Sequence, residues 1–488
     1  MSKTTNNSSK LKRQLTPMNV WALAFGCIIG WGSFVNPGKK FLPNSGVAGT
    51  AIAMALGALV MIIIAFSYAY MIPKYPKAGG EFTFAKECFG KKAAFVCGWF
   101  LIAAYLTNVP MNSTAIGLIV DGVDGDADIL KFGFHYELAG FEVYFGEIIF
   151  ASAILILFGL FNIFGVRKAG FIQTILSSLL VASVFVLVIS AVVSGKAKGI
   201  NMEPVWGFDK NAAIAANATT ENIGNFAKSG SSGIMSAILA TFAIAPWAFV
   251  GFDTIPQAVE EFNFSHKKVI GIMVVAILFG CFVYTSNNTI AAAVLENWPD
   301  RVIAGDWVLL VAAEELIGVY GKILIGVAVS CAVLSGIMGF YLASSRLMYS
   351  MAKDGFLPKT FSRIDSKHGT PRNAIIFCII ISLSGPVLGR EALGWFVDMS
   401  AIGASIGFLC TSASALKVSG KDNTKNINVF RAAAVIGVVF SLAFMVLQLV
   451  PIPGLEGVHF VNESYLMLII WCGLGLAFFA VQKIKKNI

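Results

Sequence analysis

Long apolar stretches free of charged residues alternate along this chain with short polar segments. A helix needs about 20 mostly apolar residues to cross the hydrocarbon core of a bilayer. Candidate spans without Asp, Glu, Lys or Arg are residues 14–38, 41–73, 93–120, 148–166, 169–195, 229–252, 269–295, 323–345, 373–389, 399–416, 432–455 and 464–482. These runs are too long and too continuous for the alternating strands of a membrane barrel. The pattern therefore predicts an all-α membrane protein with twelve transmembrane helices.

Positive charge concentrates in every second connection between these spans. Cytoplasmic loops of membrane proteins carry the excess of Lys and Arg, so the segments that hold most of the 36 Lys and Arg residues are assigned to the cytoplasm. The segment 121–143, on the opposite side, is rich in Asp and Glu. We therefore predict a multi-pass protein of the cell membrane with both termini in the cytoplasm. The segment 74–92 mixes Pro, Gly, aromatic and Lys residues, which predicts an interfacial helix.

Composition excludes several classes of protein. Hydrophobic residues make up 57% of the chain and charged residues 13%, whereas a soluble domain has about 25% charged residues. A basic cytoplasmic face beside anionic lipids accounts for the net charge of +9, so no nucleic acid partner is predicted. The 8 Cys and 4 His residues stand singly, without metal-type spacing. We predict no metal site, no cofactor and no enzymatic activity.

Two of the spans carry clusters that favour helix breaks. The first span reads GCIIGWGSFVNPG from Gly26 to Gly38, and the sixth reads AIAPWAFVGFDTIP from Ala243 to Pro256. Glycine permits unusual backbone angles and proline removes a donor. Unwound backbone at membrane depth is tolerated where it lines a cavity or meets a ligand. A kinked helix repacked on its neighbours is the alternative for either span alone, but two matched clusters predict a substrate site at Gly30-Trp31-Gly32.

Five motifs resemble the amino acid-polyamine-organocation (APC) family of amino acid permeases. They are GCIIGWGSF at 26–34, IPKYPKAGGEFTF at 72–84, NIFGVRKAGFIQ at 162–173, FVGFDTIPQAVEEF at 249–262 and SSRLMYSMAKDGFLP at 344–358. The resemblance implies a LeuT-type fold, in which two inverted repeats of five helices have broken helices 1 and 6 and are followed by two additional helices. It also implies transport of amino acids or related amines.

The domain boundaries follow from this implied fold. A cytoplasmic tail, 1–13, precedes the first five-helix repeat at 14–195. An external loop, 196–228, leads into the second repeat at 229–418. The last two helices and a short cytoplasmic C-terminus occupy 419–488.

Eight substrate-binding residues are implied by the same resemblance. The backbone of Gly30, Trp31 and Gly32 would bind the carboxylate, the carbonyls of Ile28, Trp247 and Val250 would accept the ammonium group, and Asn108 and Phe340 would line the side-chain subsite. Trp247, directly after Pro246, would also close over the substrate as a gate. Packing is the alternative role for a buried Trp, and a contact with a neighbouring helix is the alternative for Asn108.

Charged residues within or next to the spans are candidates for gating or coupling. Asp253 and Asp398 are the acidic residues expected within spans, where ionisable groups are functional candidates by default. Four residues at the cytoplasmic ends are candidates for a salt-bridged inner gate: Glu81, Glu260, Glu261 and Arg346. Ordinary solvated charge is the alternative for these four.

The chain departs from the family pattern at two positions. A Lys of span five that stands in for a sodium ion in some members is replaced by Leu180, near Ser177 and Ser178. Trp31 replaces the small residue that most members have between the two glycines. Four Ser hydroxyls of spans five and eight could help to hold a sodium ion: Ser177, Ser178, Ser330 and Ser335. Because hydroxyls are also common where membrane helices contact each other, no coupling ion is assigned.

These observations predict a secondary active transporter for amino acids, either a permease or an exchanger, that works by alternating access. An amine or polyamine transporter of the same fold is the nearer alternative. A non-transporting membrane sensor is the more distant one. The predicted partners are a small-molecule substrate and the lipid bilayer.

Overall fold

The computed structural model describes residues 11–124, 128–138, 141–389, 392–422, 427–452 and 459–486. Residues 1–10 of the predicted tail and Asp126 of the acidic segment lie outside the described residues. Helices account for 78% of the structure, which confirms an all-α membrane protein. The apolar pattern did not predict one antiparallel hairpin in the acidic segment, formed by β1 (His135–Leu138) and β2 (Phe141–Tyr144).

Helices of the N-terminal half follow the predicted spans closely. They are α1 (Pro17–Ile28), α2 (Gly32–Asn36), a π-helical turn (Pro37–Phe41), α3 (Leu42–Met71), α4 (Gly80–Phe89), α5 (Lys91–Asp124), α6 (Phe145–Ile163) and α7 (Val166–Val193). The segment after α7 contains the short helix α8 (Lys210–Ala215) between two 3₁₀ turns, Gly199–Met202 and Ile223–Phe226.

The C-terminal half begins with an interrupted span. It contains α9 (Gly230–Phe242), α10 (Ala245–Ala248) and a 3₁₀ segment (Phe252–Glu261), then α11 (Val269–Val294), α12 (Trp298–Ala304), α13 (Val308–Ile317) and α14 (Val319–Lys353). The remaining helices are α15 (Arg372–Ser382), α16 (Gly385–Leu388), α17 (Ala392–Ser419), α18 (Ile427–Leu449) and α19 (Asn462–Lys486). Short 3₁₀ turns at His266–Lys268 and Lys359–Ser362 precede α11 and α15.

Ten helical segments in the described part of the chain are long and apolar enough to cross a bilayer. Two shorter apolar segments, Pro17–Ile28 and Arg372–Leu388, lie at the first and ninth predicted spans. The chain is therefore a multi-pass membrane protein, while the number of twelve spans stays a prediction.

The centre of the bundle is formed by helices of both halves. Helix α5 lies against α14 and α17, and α1 lies against α14 and the 3₁₀ segment Phe252–Glu261. Tyr68, Tyr105 and Tyr284 are among the large side chains buried there. In contrast, the outer helices α7 and α19 expose apolar side chains such as Val193 and Leu476, as expected for surfaces that face lipid.

Helix α4 differs from the interfacial helix predicted in the segment 74–92. Its first turn enters the protein, because Glu81, Phe82 and Phe84 are buried between α5, α17 and the 3₁₀ segment Phe252–Glu261. Glu87, one and a half turns further on, lies at the surface. Phe82 and Phe84 thus pack inside the bundle, whereas Phe89 at the end of the helix is exposed.

Candidate functional site

The first predicted break lies between α1 and α2. Thr16 caps α1 by accepting a hydrogen bond from the Asn19 N–H at 3.2 Å, and Ile29 ends the helix with extended backbone angles. Within the described chain, the N–H groups of Gly30, Trp31 and Gly32 donate no hydrogen bond. The helix that resumes at Gly32 therefore presents unpaired donors and the positive end of its dipole.

The second break lies directly against the first. Helix α10 ends at Ala248, and regular structure resumes at Phe252 as a 3₁₀ segment. Gly251 between them has φ of +147°, and a Cβ atom there would lie 2.5 Å from the backbone nitrogen of Ile28. Only glycine fits this contact, so the two interruptions form one locus inside the bundle.

Two tryptophans cover this locus. The rings of Trp31 and Trp247 are 6.3 Å apart and tilted by 56°. Trp247 also approaches Gly32 so closely that a Cβ on Gly32 would lie 2.4 Å from its ring atom Cη2. The indole of Trp247 therefore rests on the first residue of α2, next to the unpaired N–H groups.

A cavity of about 290 Å³ ends at these tryptophans. Its lining consists of Trp31, Asn36, Lys39, Lys40, Leu118, Phe141, Ile244, Trp247, Leu393, Gly394 and Val397. These residues lie at the side of the bundle that the charge pattern assigns to the exterior, and we call this cavity the vestibule. Its charged lining residues are Lys39 and Lys40, so the vestibule has a positive mouth and a mainly apolar floor.

Two of the three carbonyls implied as ammonium acceptors already take part in hydrogen bonds. The Ile28 carbonyl accepts from the Tyr284 hydroxyl at 3.3 Å, and the Trp247 carbonyl accepts from the Val250 N–H at 3.2 Å. Each carbonyl oxygen has two lone pairs and can accept a second donor. All three residues are buried at the break, and their binding role stays a prediction.

The two residues proposed for a side-chain subsite contact other parts of the protein. Asn108 donates to the Ala104 carbonyl and to the Ser400 hydroxyl, both at 2.6 Å. Phe340 stacks on Tyr105, with ring centroids 6.3 Å apart. Neither residue lines the vestibule. The subsite role of both residues stays a prediction.

Sequence reasoning missed Asn112, one helical turn beyond Asn108. Its side chain is buried, and none of the described residues donates to its Oδ1 atom. That atom is 3.3 Å from the position a Cβ would take on Gly30, and equally close to the corresponding position on Gly336. Asn112 thus places an unused acceptor beside the first break. Its spacing of four residues from Asn108, on one helix face, was the available signal.

On the side of the breaks away from the vestibule, two of the four inner-gate candidates form a salt bridge. Arg346 donates from Nε and Nη2 to the Glu261 carboxylate at 3.1 and 2.9 Å, and both side chains are fully buried. Glu260 instead accepts from the Ala78 N–H at 3.1 Å. The pair ties α14 to the end of the 3₁₀ segment Phe252–Glu261, which closes the bundle on this side.

Glu81 forms no salt bridge in the described part of the chain. Its carboxylate accepts from the hydroxyl of Tyr68 at 2.8 Å and from the amide of Gln257 at 2.6 Å. Burial, together with the charge of Asp253, raises the pKa of Glu81 well above its ordinary value. It links α4 to α3 and the 3₁₀ segment through neutral donors.

Asp253 and Asp398 lie on opposite sides of the breaks. Asp253 is fully buried just beyond the second break, where it accepts from the Gly251 N–H at 2.7 Å and from the Tyr105 hydroxyl at 3.0 Å. Asp398 follows Val397 of the vestibule and accepts from the Ser464 hydroxyl at 2.6 Å. Asp253 therefore lies on the closed side of the break and Asp398 on the open side.

Two of the four hydroxyls considered for a coupling ion, those of Ser177 and Ser335, form contacts between helices. Ser177 donates to the Ala22 carbonyl at 3.0 Å, and Ser335 donates to the Gly26 carbonyl at 3.2 Å. Ser178 is exposed on the outer face of α7, and Leu180 is buried. Among the described residues, no group of His, Cys, Asp and Glu could hold a metal ion.

Most of this chain is similar in sequence to known proteins. A family model described as amino acid permease matches residues 15–474. The human large neutral amino acids transporter small subunit 2 is 27% identical over 375 residues, which cover 76% of this chain and 64% of that protein. The branched-chain amino acid permease BcaP of Bacillus subtilis is 25% identical over 419 residues, covering 82% of this chain and 80% of that permease. Cationic amino acid transporter 3, mitochondrial, of Arabidopsis thaliana is 23% identical over 430 residues, covering 85% and 64%.

The family match runs from just before α1 into α19 and includes both breaks. The chain spans about 64% of the length of the large neutral amino acid transporters that it matches. The resemblance drawn from the five motifs is confirmed by the match. The chain belongs to the amino acid permease family.

Proposed function

We propose that this protein is a secondary carrier for amino acids that works by alternating access in the cell membrane. The observation that carries the proposal is the pair of touching helix breaks with three unpaired N–H groups, next to the two tryptophans at which the vestibule ends. Unpaired backbone donors inside a membrane protein are stable where a ligand meets them. A carboxylate is the ligand that such donors favour.

The proposed architecture has twelve spans and two inverted five-helix repeats, 14–195 and 229–418. The 196–228 segment would lie outside, and 419–488 would contain the last two spans and a cytoplasmic end. The support is the correspondence of the breaks in the first and sixth spans, together with the alternation of Lys and Arg.

In the proposed site, the amino acid carboxylate binds the N–H groups of Gly30, Trp31 and Gly32. Its ammonium group binds the carbonyls of Ile28, Trp247 and Val250. Trp247 would swing away from Gly32 to admit the substrate, since its ring occupies the adjoining space. This movement would make it the outer gate.

Neutral amino acids fit the vestibule better than cationic amines do. Apart from Lys39 and Lys40, the lining residues carry no charge, and most of them are apolar. A cationic side chain or a polyamine would meet like charge at the mouth and no carboxylate in the lining. The relatives are named as transporters of neutral, branched-chain and cationic amino acids. All of these names specify amino acids, but the type of side chain differs from one relative to the next.

Counterflow in proteoliposomes tests the proposal. Vesicles loaded with an unlabelled amino acid are diluted into the same labelled amino acid, and the panel includes amines that lack the carboxylate. We expect transient accumulation of neutral amino acids and none of the matching amines. Accumulation of amines alone would favour the amine carrier, and no accumulation of any solute would favour the sensor.

A further inference from the structure

Two carboxylates are buried together on the closed side of the breaks. Glu81 comes from α4 and Asp253 from the 3₁₀ segment Phe252–Glu261, and neither side chain is exposed to solvent. Neither belongs to a salt bridge in the part of the chain that the structure describes. Two ionised carboxylates in such surroundings repel each other and lack a compensating cation, so one of them favours its protonated form.

Every carboxylate oxygen of the pair already has a neutral donor. The Tyr68 hydroxyl and the Gln257 amide donate to the two oxygens of Glu81, at 2.8 and 2.6 Å. The Gly251 N–H and the Tyr105 hydroxyl donate to the two oxygens of Asp253, at 2.7 and 3.0 Å. Both carboxyl groups are thus held in place by the protein, and a proton needs no additional space there.

Tyr105 lies between the two carboxylates, and its hydroxyl oxygen is also 3.0 Å from the main-chain carbonyl oxygen of Asp253. Its hydroxyl oxygen is 3.0 Å from Asp253 Oδ2 and 3.4 Å from Glu81 Oε1. A hydroxyl has one hydrogen and donates to one carboxylate at a time. The second contact becomes a hydrogen bond when the other carboxyl group supplies the proton.

Gln257 can follow such a proton. Its Oε1 atom is buried, and no donor to it exists among the described residues. If its amide turns over, this oxygen accepts from a protonated Glu81 across the same contact that its Nε2 atom now makes. The network thus has a stable arrangement with or without a proton on Glu81.

The other titratable side chains around the pair are thiols and phenols, which carry no charge in their protonated form. Cys27 of α1 faces Asp253, Cys97 of α5 lies near Glu81 with Cys410 of α17 beside it, and Tyr68 and Tyr105 are part of the network itself. On α14, Arg346 is held by Glu261.

We propose that Glu81 and Asp253 together bind one proton while the cytoplasmic side is closed, and that opening of this side releases the proton into the cytoplasm. Opening separates α4 from the 3₁₀ segment and admits water, so that both carboxyl groups ionise and the proton passes to water or buffer. This proposal rests on the proposed carrier function, because it makes the proton the coupling ion of that carrier. The carboxyl pair would then bind the coupling proton, because Leu180, at the position where some family members have a Lys, has no group that could do so.

A spectroscopic experiment tests proton binding without any transport. Infrared difference spectra of the purified full-length protein, recorded between neutral and alkaline pH, report the carbonyl stretch of a protonated carboxyl group. We expect such a band in the wild-type protein, and we expect Glu81→Gln and Asp253→Asn each to remove or shift it. Glu87→Gln, a surface change on the same helix, is the matched control and should keep the band.

A transport experiment tests coupling. In proteoliposomes with the membrane potential held at zero, one proton per neutral substrate sustains up to about tenfold accumulation for each unit of external acidification. We expect this accumulation in the wild type and in Glu87→Gln, and no response to a sodium gradient. Glu81→Gln and Asp253→Asn should lose the response to pH, with counterflow measured in the same vesicles.

Each outcome has a separate meaning. Wild-type counterflow without pH-driven accumulation, or full accumulation by both variants, would overturn proton coupling and leave the carrier function intact. A carboxyl band unchanged in both variants would overturn shared proton binding, whatever the transport result. Absence of counterflow in the wild type, with the band present and sensitive to both variants, would overturn the carrier function alone.

Discussion

Trp31 and Trp247 stand between the vestibule and the breaks, and their side chains determine how much room a substrate has. Trp247 rests on Gly32, and the Nε1 atom of Trp31 is buried without an acceptor among the described residues. A buried indole N–H without a partner carries a desolvation cost. An incoming carboxylate that accepted from this N–H would relieve that cost, which gives Trp31 a direct reason to contact the substrate.

Replacing Trp31 by Ser should therefore change the substrate ranking. The substitution removes an indole from the vestibule floor and adds a hydroxyl beside the unpaired N–H groups. We expect larger neutral amino acids to gain relative to small ones by about tenfold, equivalent to ~1.4 kcal/mol. Competition against a labelled amino acid in counterflow measures the ranking. Trp21→Phe, a change on α1 against Phe25 and Phe279, is the control, and an unchanged ranking in Trp31→Ser would contradict the prediction.

Asn108 should behave as a helix contact in stability measurements. Its amide donates to Ser400 on α17, so Asn108→Ala and Ser400→Ala should each lower the free energy of unfolding by about 1 kcal/mol. Because both variants lose the same hydrogen bond, the double variant should lose less than the sum. Thermal unfolding in detergent measures the three variants. Strict additivity, with a changed substrate ranking in Asn108→Ala, would instead support the subsite role.

The difference between Asn108 and Asn112 shows what the sequence leaves open at this scale. Both lie on one face of α5 in an apolar span, and the pattern treats them alike. The structure distinguishes them, because Ser400 comes from a helix almost 300 residues away and uses the amide of Asn108. Only the spatial neighbour decides which of the two similar side chains donates to another helix, as Asn108 does, and which donates to its own, as Asn112 does.

At the scale of elements, the contact between the two breaks depends on a single glycine. Gly251 combines a φ of +147° with a 2.5 Å approach to the backbone of Ile28. Residues with a side chain pay about 1–3 kcal/mol for such backbone angles, before any clash is counted. We expect Gly251→Ala to lower the unfolding temperature and abolish counterflow. Gly271→Ala, in a helix position with open space around it, should leave both unchanged. Wild-type counterflow in Gly251→Ala would contradict the close contact.

The buried Arg346–Glu261 salt bridge should act as a clasp, that is, it should stabilise the contact between α14 and the 3₁₀ segment on the closed side of the bundle. Removing one partner leaves the other charge buried, which costs about 3–5 kcal/mol. We expect Glu261→Gln to lower the unfolding temperature strongly, and the double variant Glu261→Met with Arg346→Met to recover much of the loss. Tryptophan fluorescence during heating measures both. Glu260→Gln, next in the chain and outside the pair, is the control; a loss in the double variant equal to or larger than that of Glu261→Gln would argue against the clasp.

The elements were predictable where one local cause determines them. Glycine and proline within apolar spans predicted both breaks, because the cause lies in the backbone of those residues. The buried course of α4 was not predictable, since its mixture of aromatic and charged residues also suits a membrane surface. Its burial follows from contacts with α5, α17 and the 3₁₀ segment. The β hairpin was missed because its strands are short and lie in a polar loop.

At the scale of the whole molecule, the two sides of the bundle differ. The vestibule reaches the tryptophans from one side, whereas Arg346–Glu261 and the network around Glu81 fill the other. A carrier needs such an asymmetry in each of its two states, with the site reached from one side at a time. The positive-inside rule assigns the closed side to the cytoplasm.

Cysteine labelling should test both this asymmetry and the orientation. Four native cysteines are fully buried, so Cys88, Cys281, Cys410 and Cys472 are first replaced by Ala. A membrane-impermeant thiol reagent added outside right-side-out vesicles should then modify Val397→Cys in the vestibule, and saturating amino acid should slow the reaction. Ser350→Cys, in the closed cytoplasmic side next to Ala78, should not react from outside.

The charge of the vestibule adds a second measurement to the same experiment. Lys39 and Lys40 line its mouth, so an anionic reagent should modify Val397→Cys about tenfold faster than a cationic reagent of similar size. Lys40→Gln should reduce this ratio, and added salt should reduce it further, because salt screens exposed charges. Modification of Val397→Cys only in inside-out vesicles would reverse the proposed orientation. Equal rates for both reagents would show that the two lysines do not attract anions to the vestibule.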